Sequence, residues 1–249
     1  MAEDTILSIR NLSKSFGQNR VLDHISLDLS RGSVMGIMGE NGAGKSTMMR
    51  CIFGLLNRDE GSIILNGRQV NFSGPKEALE SGIAMVHQEL NQCLDLTVVD
   101  NLFLGRYPTN GGIVDEGRMK KEAQDLFRTL DMTVNLAIPM RKMSVAQRQM
   151  VEIAKAISYN AKVIVLDEPT SSLSEAEVEK LFSIVKGLSA KGVSFLYISH
   201  RMAEAFELCD NVAVLRDGPL VLTKKVKESN MDELITAMVG RPLAKRFPP

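Results

Sequence analysis

The segment VMGIMGENGAGKSTMMRCIFGLL, Val34 to Leu56, sets five glycines and a lysine between two apolar stretches. The most flexible residues stand where a core strand should hand over to a core helix. From Gly39 the spacing reads G-x-x-x-x-G-K-S, through Gly44, Lys45 and Ser46. A loop of this kind suits a polyphosphate. Backbone N–H groups from Gly42 and Ala43 to Thr47 can converge on dense negative charge only where side chains stay clear, and glycine permits both the close approach and positive φ. A helix starting near Lys45 adds its N-terminal dipole. In this reading Lys45 reaches the β- and γ-phosphates and the Ser46 hydroxyl ligates Mg²⁺.

The chain on either side supports a domain built around that loop. TILSIRNLSKSF and VLDHISLDLS alternate apolar and polar residues as strands do, and SVMGIMG reads as a buried strand. KSTMMRCIFGLL has helical apolar spacing as far as Leu56. GSIILNGRQV is a hairpin turning on Asn-Gly, PKEALES a short helix and GIAMVHQ another short strand. Residues 95–158 are more helical. VVDNLFLG, EGRMKKEAQDLFRTL and SVAQRQMVEIAKAIS carry helical apolar faces, joined by an exposed turn-rich segment, GRYPTNGGIVDE. KVIVLDEP and VSFLYISH then read as strands covered on both faces, each followed by a helix, with a final hairpin and a last helix ending at Gly240. Such alternation implies an α/β fold, a mainly parallel sheet covered by helices, with the helical middle inserted as a lobe. Residues 1–242 form one domain in this reading, and 243–249 begin a linker.

VIVLDEP adds a second component. Asp167, at the end of a buried strand, can hold Mg²⁺ directly or through water. Glu168 beside it can orient and deprotonate a water aimed at the γ-phosphate.

Composition narrows the class. Of 249 residues, 44% are hydrophobic and 24% charged, and 30 basic side chains balance 30 acidic ones, which does not describe a basic nucleic-acid binder. Cys51, Cys93 and Cys209 are dispersed and make no C-x-x-C pair, which fits a reducing, cytosolic compartment. No apolar run reaches the ~20 residues that cross a bilayer. Work at a membrane would therefore need another chain to hold this one there.

The order of phosphate loop, Gln88, MSVAQRQ, VIVLDEP, SSLS and His200 resembles the ATP-binding domain of ABC transporters over nearly the whole chain. MSVAQRQMVEIAKAISYNAKVIVLDEPTSSLS and YISHRMAEAFELCDNVAVLRDG resemble, more narrowly, the first of two ATP-binding domains in the ATP-binding subunit of bacterial monosaccharide importers. The resemblance implies a P-loop NTPase with an N-terminal antiparallel β subdomain and an inserted α-helical subdomain. It implies ATP and Mg²⁺ as ligands, and ATP hydrolysis coupled to sugar import. The implied partners are a second ATP-binding domain, transmembrane permease subunits and, indirectly, a periplasmic or lipoprotein sugar-binding protein. The place is the cytoplasmic face of the cell membrane.

Roles then follow for individual residues. Phe16 matches an aromatic stacked on adenine. Gly39, Asn41, Gly42, Ala43, Gly44, Lys45, Ser46 and Thr47 form the phosphate-binding run. Gln88 matches a glutamine touching Mg²⁺ and the attacking water, alongside Ser46 and Asp167. His200 matches a histidine that bonds the γ-phosphate and acts with Glu168, Gln88 and Lys45 in hydrolysis. Ser144 and Gln147 match signature residues that reach the opposite domain's nucleotide. His24 and His87 match no role and read as structural. Two departures stand out: the signature L-S-G-G-Q is here Met143, Ser144, Val145, Ala146, Gln147, and Ser174 replaces an aspartate. The hydrolytic residues are intact while the signature is altered. The composite site on this domain's phosphate loop is then expected to hydrolyse ATP, and the opposite one mainly to bind it. The competing readings are a soluble ABC-type ATPase acting on ribosomes or nucleic acid, and a nucleotide sensor without catalysis.

Overall fold

The computed structural model describes residues 4–88 and 90–241. The segment from 243 onward, expected to open a linker, lies outside the described residues.

Two long strands, β1 (Thr5–Phe16) and β2 (Asn19–Ser30), pair antiparallel. β3 (Val34–Met38) follows, then α1 (Lys45–Ile52). The helix stops four residues short of the Leu56 that apolar spacing predicts. Gly54 adopts φ 71°, a left-handed value that ends the helix whatever the pattern beyond it. β4 (Glu60–Leu65) and β5 (Arg68–Val70) turn on Asn66 and Gly67, both at positive φ, as the Asn-Gly signal predicts. These four strands form the antiparallel sheet, in the order β2-β1-β4-β5.

After α2 (Pro75–Glu80) and β6 (Ile83–Val86) the chain enters the helical lobe. This contains α3 (Val98–Phe103), α4 (Glu116–Thr129) and α5 (Val145–Ser158). The turn-rich connection folds into a two-residue ribbon, β7 (Thr109–Asn110) with β8 (Ile113–Val114), which composition alone did not reveal. The lobe packs through Leu102, Phe103, Met119, Ala123, Phe127 and Met150, and its core is continuous with that of the main domain. Arg106 fastens it. Its guanidinium stacks 3.9 Å from the Tyr159 ring centroid and donates to the carbonyls of Leu102 (2.9 Å) and Ser158 (3.2 Å), near the ends of α3 and α5.

The chain returns through β9 (Val163–Asp167), α6 (Glu175–Ala190), β10 (Ser194–Ile198), α7 (Met202–Leu208), β11 (Asn211–Leu215), β12 (Leu220–Lys225) and α8 (Met231–Val239). The second sheet runs β12-β11-β3-β10-β9-β6, parallel throughout except at the β12 edge. Its strands are apolar without interruption because both faces are covered. Val34, Ile164, Leu166, Phe195 and Tyr197 enter the core shared with the lobe, while Ile37, Val163, Val165, Leu196 and Ile198 meet α1 and the antiparallel sheet. Each fully buried aliphatic side chain contributes about 1.5–3 kcal/mol relative to exposure. The two-faced burial is what makes the sheet a rigid platform.

Register then decides where function can sit. Ile37 pairs with Ile198, Ile198 with Asp167, and Leu166 with Val86. The carboxyl ends of β3, β10, β9 and β6 thus form one row, the edge at which open parallel sheets bind ligands.

Candidate nucleotide site

Those four strand ends deliver the candidate groups. The glycine loop leaves β3, Asp167 and Glu168 end β9, His200 follows β10 and Gln88 follows β6. Asn41, Gly42, Gly44, Lys45, Ser46, Thr47, Gln88, Asp167 and Glu168 line a common cavity of about 480 Å³, with Val21 of β2 closing one side. Val21 was not foreseen, since in sequence it is one apolar residue of an alternating strand.

The loop's shape depends on its glycines. Gly44 caps α1 at φ 102°, and a Cβ there would stand 2.8 Å from the Val21 carbonyl oxygen and 2.9 Å from Leu22 Cδ2. The first N–H groups of a helix have no acceptor within it, so Lys45, Ser46 and Thr47 present theirs at the cavity. Ala43 is used differently: its N–H donates to the Glu40 carbonyl (3.2 Å), and its buried side chain packs near Gly39. Gly44→Ala is expected to abolish nucleotide binding and lower the melting temperature by several degrees, because both the φ and the space are lost. Differential scanning fluorimetry with and without ATP checks both.

Lys45 is 7% exposed and turns inward. Its Nζ donates to the carbonyls of Gly39 (2.7 Å) and Glu40 (3.0 Å). Burial pushes the ammonium below its ordinary value, and the carboxylates of Glu168 and Asp167 pull it part of the way back. The Asp167 carboxyl lies above its ordinary range, chiefly through burial and then through the charge of Glu168, with His87, Lys45 and Arg50 acting the other way. A cation near Asp167 would relieve both causes. Hydroxyl, amide and carboxylate oxygens from Ser46, Gln88 and Asp167 share the cavity, a hard-donor set that fits Mg²⁺ completed by phosphate and water.

Glu168 holds φ 44°, left-handed for a residue with a side chain. Its N–H donates to the Ile198 carbonyl (3.0 Å), and its Oε1 lies 3.1 Å from Nδ1 of His200. The two side chains that the sequence named separately are therefore in contact.

Other expected residues stand outside the lining. Phe16 is 49% exposed at the end of β1, with the Lys14 ammonium 5.6 Å from its ring centroid. Ser144 and Gln147 lie at the start of α5 and bond to each other. The Gln147 N–H donates to Ser144 Oγ (3.2 Å) and the Ser144 N–H to Gln147 Oε1 (2.9 Å). This reciprocal cap has S-x-x-Q as its sequence sign. It does locally what the missing glycines cannot: it fixes the helix start with side chains. Ser144→Ala is expected to cost about 1 kcal/mol in urea unfolding, the usual value of such a cap. His24 lies at the surface between Asp23 and Glu60. His87 is exposed.

The sequence pattern of the ABC transporter family matches residues 22–171, from β2 through the segment after Glu168. The chain belongs to the ABC transporter family. Its ABC fold is also that of the ADP conformation of MJ1267, an ATP-binding cassette of an ABC transporter. The two share 28% identity with a TM-score of 0.84, covering 95% of this chain and 99% of that one. Among curated ABC relatives, the galactose/methyl galactoside import ATP-binding protein MglA of Treponema denticola is 68% identical over 245 residues, 98% of this chain and 49% of that protein. The protein of the same name from Pasteurella multocida is 50% identical over 246 residues, 99% of this chain and 49% of that protein. The chain spans about half the length of these relatives. Among the described residues no helix is long and apolar enough to cross a membrane.

Proposed function

We infer that this chain is the first ATP-binding and ATP-hydrolysing domain of an ABC importer for galactose, methyl galactoside or a related monosaccharide. The observation that carries this reading is the 68% identity to the Treponema denticola import protein across 98% of the chain. The gathering of Lys45, Ser46, Gln88, Asp167 and Glu168 around one cavity supports it chemically.

In this mechanism the amides of Gly42 and of Gly44 to Thr47 bind the phosphates, with Asn41 at the rim and Gly39 and Ala43 shaping the loop beneath. Lys45 exchanges its bonds to Gly39 and Glu40 for phosphate oxygens. Ser46, Gln88 and Asp167 would hold Mg²⁺, which when bound would supply positive charge against the phosphates. Glu168 accepts a proton from the attacking water, and His200, held against Glu168, faces the γ-phosphate. Phe16 supplies an exposed aromatic face for adenine. Ser144 and Gln147 serve the opposite nucleotide, with Ser144 Oγ–H and the Gln147 side-chain amide N–H as the donors that the cap leaves over. Residues 1–242 act as the domain and 243–249 as the beginning of the link to the second ATP-binding domain. The unit works at the cytoplasmic face of the membrane against permease subunits, which receive sugar from a binding protein.

The test is reconstitution of the complete protein with its permease in liposomes. ATP hydrolysis is expected to rise several-fold when galactose-loaded binding protein is added. Hydrolysis indifferent to permease and sugar, but stimulated by ribosomes or DNA, would replace this reading with that of a soluble ABC-type ATPase.

A further inference from the structure

Glu204, in the first turn of α7, is a buried carboxylate that the mechanism above does not use. Its Oε1 accepts from Thr170 Oγ1 (2.7 Å) and from Arg201 Nη1 (3.3 Å). Its Oε2 accepts from the Tyr197 hydroxyl (2.7 Å) and from Ser199 Oγ (2.9 Å). Ser199 Oγ in turn accepts the Arg201 N–H (3.0 Å). Burial, followed by the bond to Glu204 and its charge, pushes the Tyr197 hydroxyl well above its ordinary value, so it stays a donor.

These partners are not scattered. Thr170 lies two residues after Glu168, and Ser199 and Arg201 flank His200. One carboxylate therefore ties the exit of β9, which carries Glu168, to the exit of β10, which carries His200. The β9–β10 ladder fixes the two strands as far as Asp167 and Ile198, and beyond it the Glu168 N–H still donates to the Ile198 carbonyl, but neither bond reaches the side chains of Glu168 and His200. A carboxylate can accept at four lone pairs, and here four donors take them. An apolar helix residue in its place would leave the buried hydroxyls of Thr170, Tyr197 and Ser199 without this acceptor.

We propose that Glu204 is a positioning residue for hydrolysis: it couples the segments that leave β9 and β10 so that His200 stays against Glu168. The inference rests on the reading of Glu168 and His200 given above. It makes Glu204 part of the hydrolytic machinery through contact with its supports, not with nucleotide.

The experiment is a double-mutant cycle in the complete, permease-coupled protein. Glu204→Gln keeps the shape but offers one acceptor oxygen where two stood. It is expected to lower kcat by about tenfold while KM for ATP stays within about twofold, because the phosphate loop touches none of these groups. The decisive readout is additivity. In a His200→Ala background Glu204→Gln should cost nothing further in kcat, since the contact it serves is already gone. Glu204→Asp, which restores the charge at shorter reach, should recover part of the loss. Should Glu204→Gln fail to fold, Thr170→Val removes only the arm to the Glu168 exit and should give a smaller kcat loss, again absent beside His200→Ala. Equal losses with and without His200, or no loss at all while His200→Ala is impaired, would overturn the proposal. If His200→Ala itself hydrolyses ATP normally, the reading of the site fails instead, and the two failures are distinct.

Discussion

Glu168→Gln in the complete protein is expected to reduce ATP turnover by about a hundredfold or more while leaving ATP affinity equal to or tighter than that of the parent. The exchange is isosteric, so the left-handed turn, the bond from the residue 168 N–H to Ile198 and the fold should all persist. What disappears is the group able to take a proton from water. The negative charge that raises the Asp167 carboxyl goes with it, and this should favour the anionic nucleotide. Single-turnover kinetics alongside equilibrium binding separate the two effects. Unchanged hydrolysis by Glu168→Gln would end the claim that the phosphate loop described here belongs to the hydrolysing member of a composite pair.

Lys45→Ala is expected to act on the other quantity. Nucleotide affinity should fall by about a hundredfold, which corresponds to about 3 kcal/mol. The ammonium is the cation that lies inside the curl of the loop, held by Gly39 and Glu40 within the field of Asp167 and Glu168. Its removal leaves two carbonyls without that donor and a pair of adjacent carboxylates facing the triphosphate without compensation. Lys45→Arg should not rescue binding, because a planar guanidinium does not fit where a compact, nearly buried ammonium sits. Titration calorimetry with MgATP measures both variants. Binding by Lys45→Ala within about threefold of the parent would show that the loop amides alone hold the phosphates.

Most of the architecture was readable because local signals agreed with the global fold. The uninterrupted apolar runs of β9 and β10 announced strands covered on both faces, and Asn66-Gly67 announced its hairpin. The phosphate loop was legible for the same reason, since glycine spacing, strand and helix coincided. What escaped belongs to tertiary placement. Val21 lines the cavity only because β2 crosses beside Gly44. Glu204 looked like an ordinary member of an amphipathic helix, although its place on the buried side with Ala205 and Leu208 was a usable sign. The contact between His200 and Glu168 depends on the neighbouring register of β9 and β10, which pattern alone does not supply. Ser144 and Gln147 were legible as residues, but the sequence reading did not show that they bond to each other and make the segment a self-contained helix start.

The φ of 44° at Glu168 has an evolutionary side. A side chain in that conformation burdens the native state by about 1–2 kcal/mol, a load that glycine would lift. Selection for heat resistance alone would therefore drift toward glycine at this position, yielding sturdier molecules that grip ATP and never spend it. On the proposed role of Glu168, the tip of β9 is the point where endurance and turnover pull in opposite directions.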